Sequence, residues 1–381
     1  MVSTHGGILH MAFELGRKTW KLGFTIGLGQ KPRKKNVSGG NTDLVLHEIV
    51  LAKRRFGLPE DCRVVSCYEA GPDGFWLHRW LLSIGVENLV IDSSSIEVNR
   101  RKRRAKSDGL DVEGLLKLLC RHTMGEKKVW SVVRVPPPQI EDIRQLHRDL
   151  ATLIEDRTRI RNRIQGLLHV HGAAVQRWSK VREELGTMRL WDGSALGEGL
   201  HKRLEREVER MELVQQQIRG IEQEMEAELK ETAEPGSIIA MMQRLANVRG
   251  IGPQGARILV VELFAWRGFQ NRRQVGACTG LKPTPYQSGE TNHEQGIDKA
   301  GNVWLRRVAT QLAWSWLRWQ PDSKEAVWFN GRFAHAGRRQ RLVGIVGVAR
   351  KLVIALWRYT TGNELPGVVV GPEETYVLKA A

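Results

Sequence analysis

The sequence predicts an α/β domain followed by a long, mainly helical region. In residues 1–135, apolar runs typical of strands alternate with segments of helical period. Three consecutive prolines at 136–138 then mark a boundary, because such a run ends regular structure. With 381 residues, the chain is long enough for two or three domains. We predict domains at residues 1–135, 136–235 and 236–381.

The elements of the first domain follow from its apolar pattern. Two strand-like runs flank residues 14–18, and this arrangement is typical of a hairpin. The predicted elements are strands over 8–13 and 19–26, a helix over 43–56, a strand over 63–68, a helix over 74–84 and a strand over 88–91.

Beyond the prolines, eight positions repeat at alternating intervals of three and four residues. They are Ile143, Leu146, Leu150, Leu153, Arg157, Ile160, Ile164 and Leu167. A second charged helix is predicted over 199–230. This heptad-like spacing predicts a long antiparallel coiled-coil hairpin, which either packs on itself or joins two chains. From residue 236 onward the pattern predicts helices and one loop, rich in glycine and proline, over 279–301.

The chain is strongly basic. It carries 59 lysines and arginines against 42 acids, a net charge of +17, which favours a polyanionic partner over a merely basic surface. The apolar stretch 342–357 contains Arg350 and Lys351 and is shorter than the ~20 residues that a membrane span needs. Since residues 1–7 show no export signal, we expect a cytoplasmic protein. The four cysteines lack zinc-site spacing and are expected to be buried and reduced.

Four carboxylates are the best candidates for catalysis. Glu14 and Glu69 lie at the ends of predicted strands, and Asp108 and Asp111 are three residues apart, on one helical face. Ribonuclease-H-type nucleases use such a cluster, because Mg²⁺ prefers oxygen ligands and two ions can clamp a phosphodiester. The alternative is that these acids are surface ion-pair partners.

Two further segments have features of nucleic-acid binding. Six cations directly precede Asp108, namely Arg100, Arg101, Lys102, Arg103, Arg104 and Lys106. They predict phosphate contacts, or alternatively a solvated segment or a localisation signal. Gly250 and Gly252 join two helical patterns in a way that resembles a helix-hairpin-helix, which binds the DNA backbone. A plain tight turn is the alternative.

A candidate nucleophile lies in the 279–301 segment. Ser288 precedes a glycine, which leaves its hydroxyl accessible, and Lys299 and Arg306 could stabilise negative charge nearby. Further along, Trp314, Trp316 and Trp319 either stack on bases or pack in a core.

Together these residues resemble a known family, the insertion-sequence transposases with an N-terminal DEDD, RuvC-like domain and a C-terminal serine-bearing domain. Members of this family are RNA-guided (bridge-RNA or seekRNA) DNA recombinases. The resemblance covers essentially the whole chain, through the motifs at 13–15, 20–22, 68–71, 73–77, 106–111 and 287–289 and through Lys299, Gly301, Asn302, Leu305 and Arg306.

The resemblance implies a ribonuclease-H-like first domain, a coiled-coil dimerisation domain and a helical serine transposase domain. Glu14, Glu69, Asp108 and Asp111 would bind Mg²⁺, and Ser288 would attack DNA and form a phosphoserine link. The implied partners are donor and target DNA, an element-encoded guide RNA and further copies of the chain, as a dimer or a pair of dimers. The family's commonest first acid is aspartate, whereas this chain has Glu14.

We therefore expect a Mg²⁺-dependent DNA recombinase that works through a serine–DNA intermediate directed by RNA. Because the covalent link conserves the phosphodiester energy, rejoining needs no ATP, and the sequence contains no GxxxxGK[ST] phosphate loop. Two alternatives remain: a hydrolytic nuclease of the Holliday-junction type, in which Ser288 is structural, and a scaffold without catalysis.

Overall fold

The structure is a computed structural model that describes residues 7–72, 74–96, 108–126, 128–288, 291–298 and 301–363, with Leu365 and Val368. For residues 108–111, 285–288 and 291–295 it describes the backbone alone. The chain divides into two compact units, Met1–Val135 and Pro136–Ala381, and the boundary lies at the triple proline.

The first unit contains a five-stranded mixed sheet with three helices. The strands are β1 (Leu9–Leu15), β2 (Thr19–Thr25), β3 (Arg33–Ser38), β4 (Val64–Glu69) and β5 (Glu87–Ile91), and the helices are α1 (Thr42–Arg55), α2 (Trp76–Ser83) and α3 (Asp108–Thr123). The strand order is β3-β2-β1-β4-β5. The first three strands are antiparallel, whereas β1, β4 and β5 run parallel.

The sheet is covered on both faces because its strands alternate apolar side chains between two cores. Leu9, Met11 and Phe13 belong to the core that includes α1 and α2. The intervening Ala12 faces the core that includes Val112 of α3. The expected α/β character of this domain is thus confirmed.

Two details differ from the sequence-based prediction. β1 continues through Glu14 to Leu15, so Glu14 lies in the strand and the turn begins after it. β3 was not predicted at all. Its sequence is Arg-Lys-Lys-Asn-Val-Ser, and only Val37 is buried, because an edge strand needs little apolar surface.

Helix α3 runs antiparallel to β1. Near its end, Thr123 Oγ1 lies 2.8 Å from His10 Nε2, at the start of β1. Near its beginning, Val112 packs against Gly23 of β2, which is paired with Ala12. The N-terminus of α3 therefore lies toward the end of the sheet where β1 and β4 finish.

The second unit is mostly helical. Its helices are α4 (Pro138–His169), α5 (Val181–Thr187), α6 (Glu198–Glu228), α7 (Ile238–Ala246), α8 (Gly252–Leu259), α9 (Arg272–Cys278), α10 (Val303–Trp319), α11 (Lys324–Phe333) and α12 (Arg338–Thr360). A π-helical turn (Val260–Phe264) continues α8, and β6 (Pro283–Ser288) and β7 (Thr291–Ile297) form a hairpin. None of the described helices combines the length and the apolar character that a membrane span requires.

The two long helices α4 and α6 pack against each other in opposite directions. Leu150, early in α4, clusters with Met225, late in α6. Ile164, late in α4, clusters with Leu204, early in α6. The heptad-like positions Leu150, Ile160 and Ile164 are buried within a single chain. Whether this pair is a coiled coil that also joins two chains stays a prediction.

The segment 279–301 differs from the predicted loop because it contains the β6–β7 hairpin. Pro283, Pro285 and several glycines favoured a loop, but a two-stranded hairpin tolerates proline, since both of its strands are edges. The registers shift between Pro283 and Pro285, where a proline cannot donate a ladder hydrogen bond.

All four cysteines are free. Cys62, Cys67 and Cys120 are buried as expected, whereas Cys278 is only partly buried. Burial raises the pKa of the Cys67 thiol and keeps it protonated.

Gly23 offers a test of how α3 is positioned. A Cβ at this position would overlap Cγ1 of Val112, so we expect Gly23→Ala to lower the free energy of unfolding by about 1–3 kcal/mol. The control is Gly114→Ala, within α3, where a Cβ meets open space and should raise helix stability by up to about 1 kcal/mol. Urea unfolding of both variants checks this. Equal effects would contradict the described packing of α3.

Candidate catalytic site

Glu14 and Glu69 are brought side by side by the pairing of β1 and β4. The last registered pair of these parallel strands is Phe13 with Tyr68, so the two glutamates follow at the same level. Ala12 and Cys67, two residues earlier on each strand, both face α3. Because side chains alternate along a strand, Glu14 and Glu69 also lie on the α3 face. Both are partly buried.

The two aspartates enter from α3. Asp108 is its first residue and Asp111 lies three positions on, so they share one side of the helix. The backbone thus places all four predicted acidic positions toward one end of the sheet, which we call the acidic edge. Among the side chains that the structure describes, no three His, Cys, Asp or Glu residues are grouped so that they could hold a metal ion. The side chains of Asp108 and Asp111 are not among those described. Carboxylate oxygens at the acidic edge are ligands of the type that Mg²⁺ prefers.

Asp92 is a further carboxylate near this end of the sheet. It follows β5, which pairs with β4, and its Oδ1 accepts hydrogen bonds from Ser94 N (3.0 Å) and Ser94 Oγ (2.8 Å). An acid directly after a strand was visible in the sequence, but its position beside β4 depends on the sheet order. The Ser94 contacts give it a capping role in a short 3₁₀ turn.

The predicted basic run and one predicted cation lie outside the described residues. They are Arg100, Arg101, Lys102, Arg103, Arg104, Lys106 and Lys299.

The predicted helix-hairpin-helix corresponds to α7, α8 and the turn between them. Gly250 and Gly252 adopt positive φ angles of 95° and 66°, which favour glycine. Helix α10 and the residue that ends it hold the turn: Ser315 Oγ donates to the Gly250 carbonyl (2.8 Å), and Gln320 Nε2 donates to that of Arg249 (2.9 Å). These contacts fix the shape of the turn.

The tryptophans of α10 divide between two roles. Trp316 is buried, and its Nε1 donates to Ser323 Oγ (2.8 Å), as expected of a core residue. Trp314 and Trp319 remain about two-fifths exposed. The guanidinium of Arg249 lies 5.2 Å from the Trp319 ring centroid. An arginine-flanked aromatic therefore borders the glycine turn.

Ser288 is the last residue of β6 and is paired with Thr291, so its backbone lies at the tip of the hairpin. The base of the hairpin is tied down by a hydrogen bond from Asp298 N to Lys282 O (2.9 Å). Just beyond, a Cβ on Gly301 would collide with the Cys278 carbonyl, so this close approach requires glycine.

Helix α10 begins directly after that glycine. Asn302 caps it by accepting hydrogen bonds from Trp304 N and Leu305 N. Arg306, the predicted charge-stabilising residue of this segment, is partly buried in the first turn of α10.

A buried ionic cluster lies beside the start of α10 and was not apparent in the sequence. Glu262, in the π-helical turn, is 2% exposed. It accepts from Arg148 Nη2 (2.7 Å) and His147 Nε2 (3.1 Å) and pairs with Arg144 (3.4 Å). The His147 ring also packs edge-on against Trp304, with centroids 6.2 Å apart. We call these residues the Glu262 cluster.

The cluster keeps Glu262 ionised. Burial alone would raise the pKa of this carboxyl, but the hydrogen bond from His147 and the charges of Arg144 and Arg148 outweigh burial and lower the pKa to about 2. Burial lowers the pKa of His147, which leaves a neutral ring that donates from Nε2. The cluster therefore ties α4 to the π-helical turn.

Comparison with known proteins identifies relatives that match up to 96% of the chain. Residues 242–327 match the family model described as "Transposase IS116/IS110/IS902 family". This match extends from α7 through the glycine turn, the Glu262 position and Ser288 into α11.

Three relatives illustrate the similarity. A putative transposase, y4rJ, of Sinorhizobium fredii is 37% identical over 377 residues, which is 96% of this chain and 93% of the relative. The transposase for insertion sequence element IS1328 of Yersinia enterocolitica is 28% identical, over 67% of this chain and 72% of its own. The transposase for element IS1111A of Coxiella burnetii is 24% identical, over 75% of each.

The Glu262 cluster generates a stability prediction. Glu262→Gln leaves Arg144 and Arg148 without their buried counter-charge, so we expect a loss of about 3–5 kcal/mol in the free energy of unfolding at pH 7. The control is Glu155→Gln, which removes an exposed pair with Arg159 and should cost less than about 1 kcal/mol. Urea unfolding measures both.

The effect should depend on pH. The pKa of Glu262 in the folded protein, about 2, lies below the ordinary value of about 4.3. The ionised carboxylate therefore contributes its full share to the free energy of unfolding above about pH 4.3, and this share is lost as the pH falls toward 2. The difference between wild type and Glu262→Gln should shrink over that range. A difference in the free energy of unfolding that stays constant down to about pH 2 would contradict the lowered pKa of Glu262.

Proposed function

Because this chain belongs to the IS116/IS110/IS902 family of transposases, we propose that it recombines DNA through a covalent link to Ser288, with Mg²⁺ at the acidic edge and an RNA as guide. It is an insertion-sequence transposase and hence a DNA-processing enzyme. The observation that carries the catalytic part of the proposal is the meeting of β1 and β4, which places Glu14 and Glu69 side by side near the start of α3.

The mixed sheet, with its parallel strands β1, β4 and β5, is compatible with the ribonuclease-H-like domain implied by the sequence resemblance. Glu14, Glu69, Asp108 and Asp111 would hold the metal. When bound, Mg²⁺ would neutralise charge that develops on the phosphodiester. The carboxylates hold this chemistry at one end of the sheet, and the basic surface of the chain attracts the DNA backbone.

The chemical step we propose is attack of Ser288 on a DNA phosphate. Its Oγ forms a bond to phosphorus and gives up its proton, while the bond from phosphorus to the leaving sugar oxygen breaks and that oxygen takes a proton. The phosphodiester becomes a phosphoserine diester, so no water or ATP is consumed. Attack by the hydroxyl of a second DNA strand reverses the exchange and frees Ser288.

Two observations support the assignment of Ser288. The residue lies inside the segment matched by the transposase family model. Its backbone also lies at the tip of a hairpin, and serines on projecting turns are well placed to reach a substrate. Arg306, in the first turn of α10, would add positive charge that attracts the DNA backbone.

The guide RNA and the oligomer are the remaining parts of the proposal. A net charge of +17 suits a chain that holds both DNA and RNA. The α4–α6 pair extends the second unit by helices of 32 and 31 residues, which offers a long surface for a second copy. Pairing of the RNA with donor and target would supply sequence recognition.

Ser288→Ala should abolish strand exchange by full-length protein on donor and target DNA with Mg²⁺ and RNA transcribed from the element's flanks. We expect a loss of more than about 1000-fold, because the proposed covalent link forms through the Ser288 hydroxyl. Thr291→Ala is the control, since it removes a hydroxyl from the paired position on β7 and should keep most activity. Quantified denaturing gels measure both. Equal cleavage by Ser288→Ala and wild type would favour a hydrolytic nuclease instead.

Glu69→Gln tests the acidic edge. Losing one carboxylate should lower DNA cleavage by more than about 100-fold and raise the Mg²⁺ concentration needed for half-maximal rate, while DNA binding in EDTA stays unchanged. Glu60→Gln, an exposed acid on the loop before β4, is the matched control. Kinetics over a Mg²⁺ titration provide the measurement. A Glu69→Gln enzyme with the wild-type Mg²⁺ dependence would contradict the assignment.

A further inference from the structure

A basic groove lies on the first unit, outside the acidic edge. It has a volume of about 520 Å³ and is lined by Lys21, Lys34, Lys35 and Asn36. Three of its four lining residues are lysines, and Lys35 and Asn36 are exposed. The groove therefore presents positive charge and an amide, a combination suited to an anionic ligand with several oxygens.

The strand register connects this groove to the acidic edge. Lys21 of β2 is paired with Asn36 on one side and with Glu14 on the other. Directly paired residues point to the same face of a sheet, so Asn36, Lys21 and Glu14 form a row across three strands. Neighbouring strands are ~4.8 Å apart, so Asn36 on the edge strand β3 and Glu14 on β1 are separated by about 10 Å across the sheet.

Lys34 lies on the same face, two residues before Asn36. It is paired with Gly23 in the register and forms an ion pair with Glu113 of α3. The groove and the N-terminal half of α3 therefore lie on one side of the sheet, the side that also carries Glu14 and Glu69.

Lysines on an edge strand can also serve to prevent strand pairing between molecules. That role would explain Lys34 and Lys35 of β3, but it does not explain Lys21, which lies on the inner strand β2 and is paired on both sides. A row that begins at a basic groove and ends at a carboxylate pair instead fits an extended anion, with one phosphate at the carboxylates and its neighbours over the lysines.

We propose that this groove binds the phosphate backbone of the DNA strand on which the acidic edge acts. The inference rests on the proposed function for the identity of the strand. Lys21 and Lys34, which lie on the same face as Glu14, contact phosphates next to the scissile one, and Asn36 donates to a phosphate oxygen. The groove contributes affinity without base recognition, because its side chains reach backbone oxygens only.

The test uses full-length protein in EDTA, where binding is measured without cleavage. The variant Lys21→Gln/Lys34→Gln removes two charges from the groove on the face of the sheet that carries Glu14. The control Lys31→Gln/Lys128→Gln removes two exposed charges of the same unit outside the groove. Binding of labelled short duplex DNA is followed by fluorescence anisotropy from about 50 to 200 mM salt.

For the groove variant, the slope of log affinity against log salt should become shallower by about 1.8, since each lost duplex phosphate contact removes about 0.9. The control should keep a slope closer to that of wild type. A second variant, Asn36→Asp, places a negative charge in the groove with little change of shape and should weaken DNA binding on its own. It keeps the test decisive if the double variant fails to fold.

A single-stranded RNA probe separates the sources of phosphate. Unchanged RNA binding by the groove variant supports the proposal, whereas loss of RNA binding alone overturns it. An equal loss of DNA binding in the control also overturns it. Failure of the proposed function looks different: wild-type protein would then bind DNA through the groove but form no cleaved or covalent product with Mg²⁺.

Discussion

The parallel pairing of β1 with β4 is the constraint on which the candidate catalytic site depends. Glu14 and Glu69 are separated by 55 positions in the sequence, yet the register of Phe13 with Tyr68 places them at one level. The pairing also forms the floor on which α3 packs, through Ala12 and Val112. The packing of α3 and the grouping of the carboxylates at one end of the sheet thus both depend on the pairing of β1 with β4.

The two units handle charge in opposite ways. In the second unit Glu262 is buried among Arg144, His147 and Arg148, where an unpaired carboxylate would be very costly, so the cluster demands one geometry of α4 against the π-helical turn. In the first unit the charges of β2 and β3 face an open groove, where they can exchange water for phosphate. Buried charge specifies shape in one unit, and exposed charge provides a surface for an anion in the other.

Much of the first unit could be predicted from the sequence, because apolar alternation marks β1, β2, β4 and β5. Strand β3 could not, since an edge strand of mainly polar residues carries no such signal. The β6–β7 hairpin was hidden by Pro283 and Pro285, whose local preference for loops was outweighed by pairing with β7.

The candidate site also has a part that the sequence predicts and a part that it does not. The four acids could be selected by their positions after strands and at a helix start, whereas the meeting of Glu14 with Glu69 depends on strand order. The Glu262 cluster joins side chains that are more than 110 positions apart in the sequence, and no local sequence pattern predicts contacts over that separation. Contacts between residues distant in sequence are what local patterns cannot supply.

In the proposed function, DNA becomes covalently joined to Ser288. Mass spectrometry tests it most directly: wild-type protein reacted with DNA, RNA and Mg²⁺ is digested with nuclease and protease, and the peptides are sequenced. We predict a peptide from the β6–β7 hairpin with a nucleotide attached through phosphate to Ser288. Recovery of cleaved DNA with that peptide unmodified would contradict the claim.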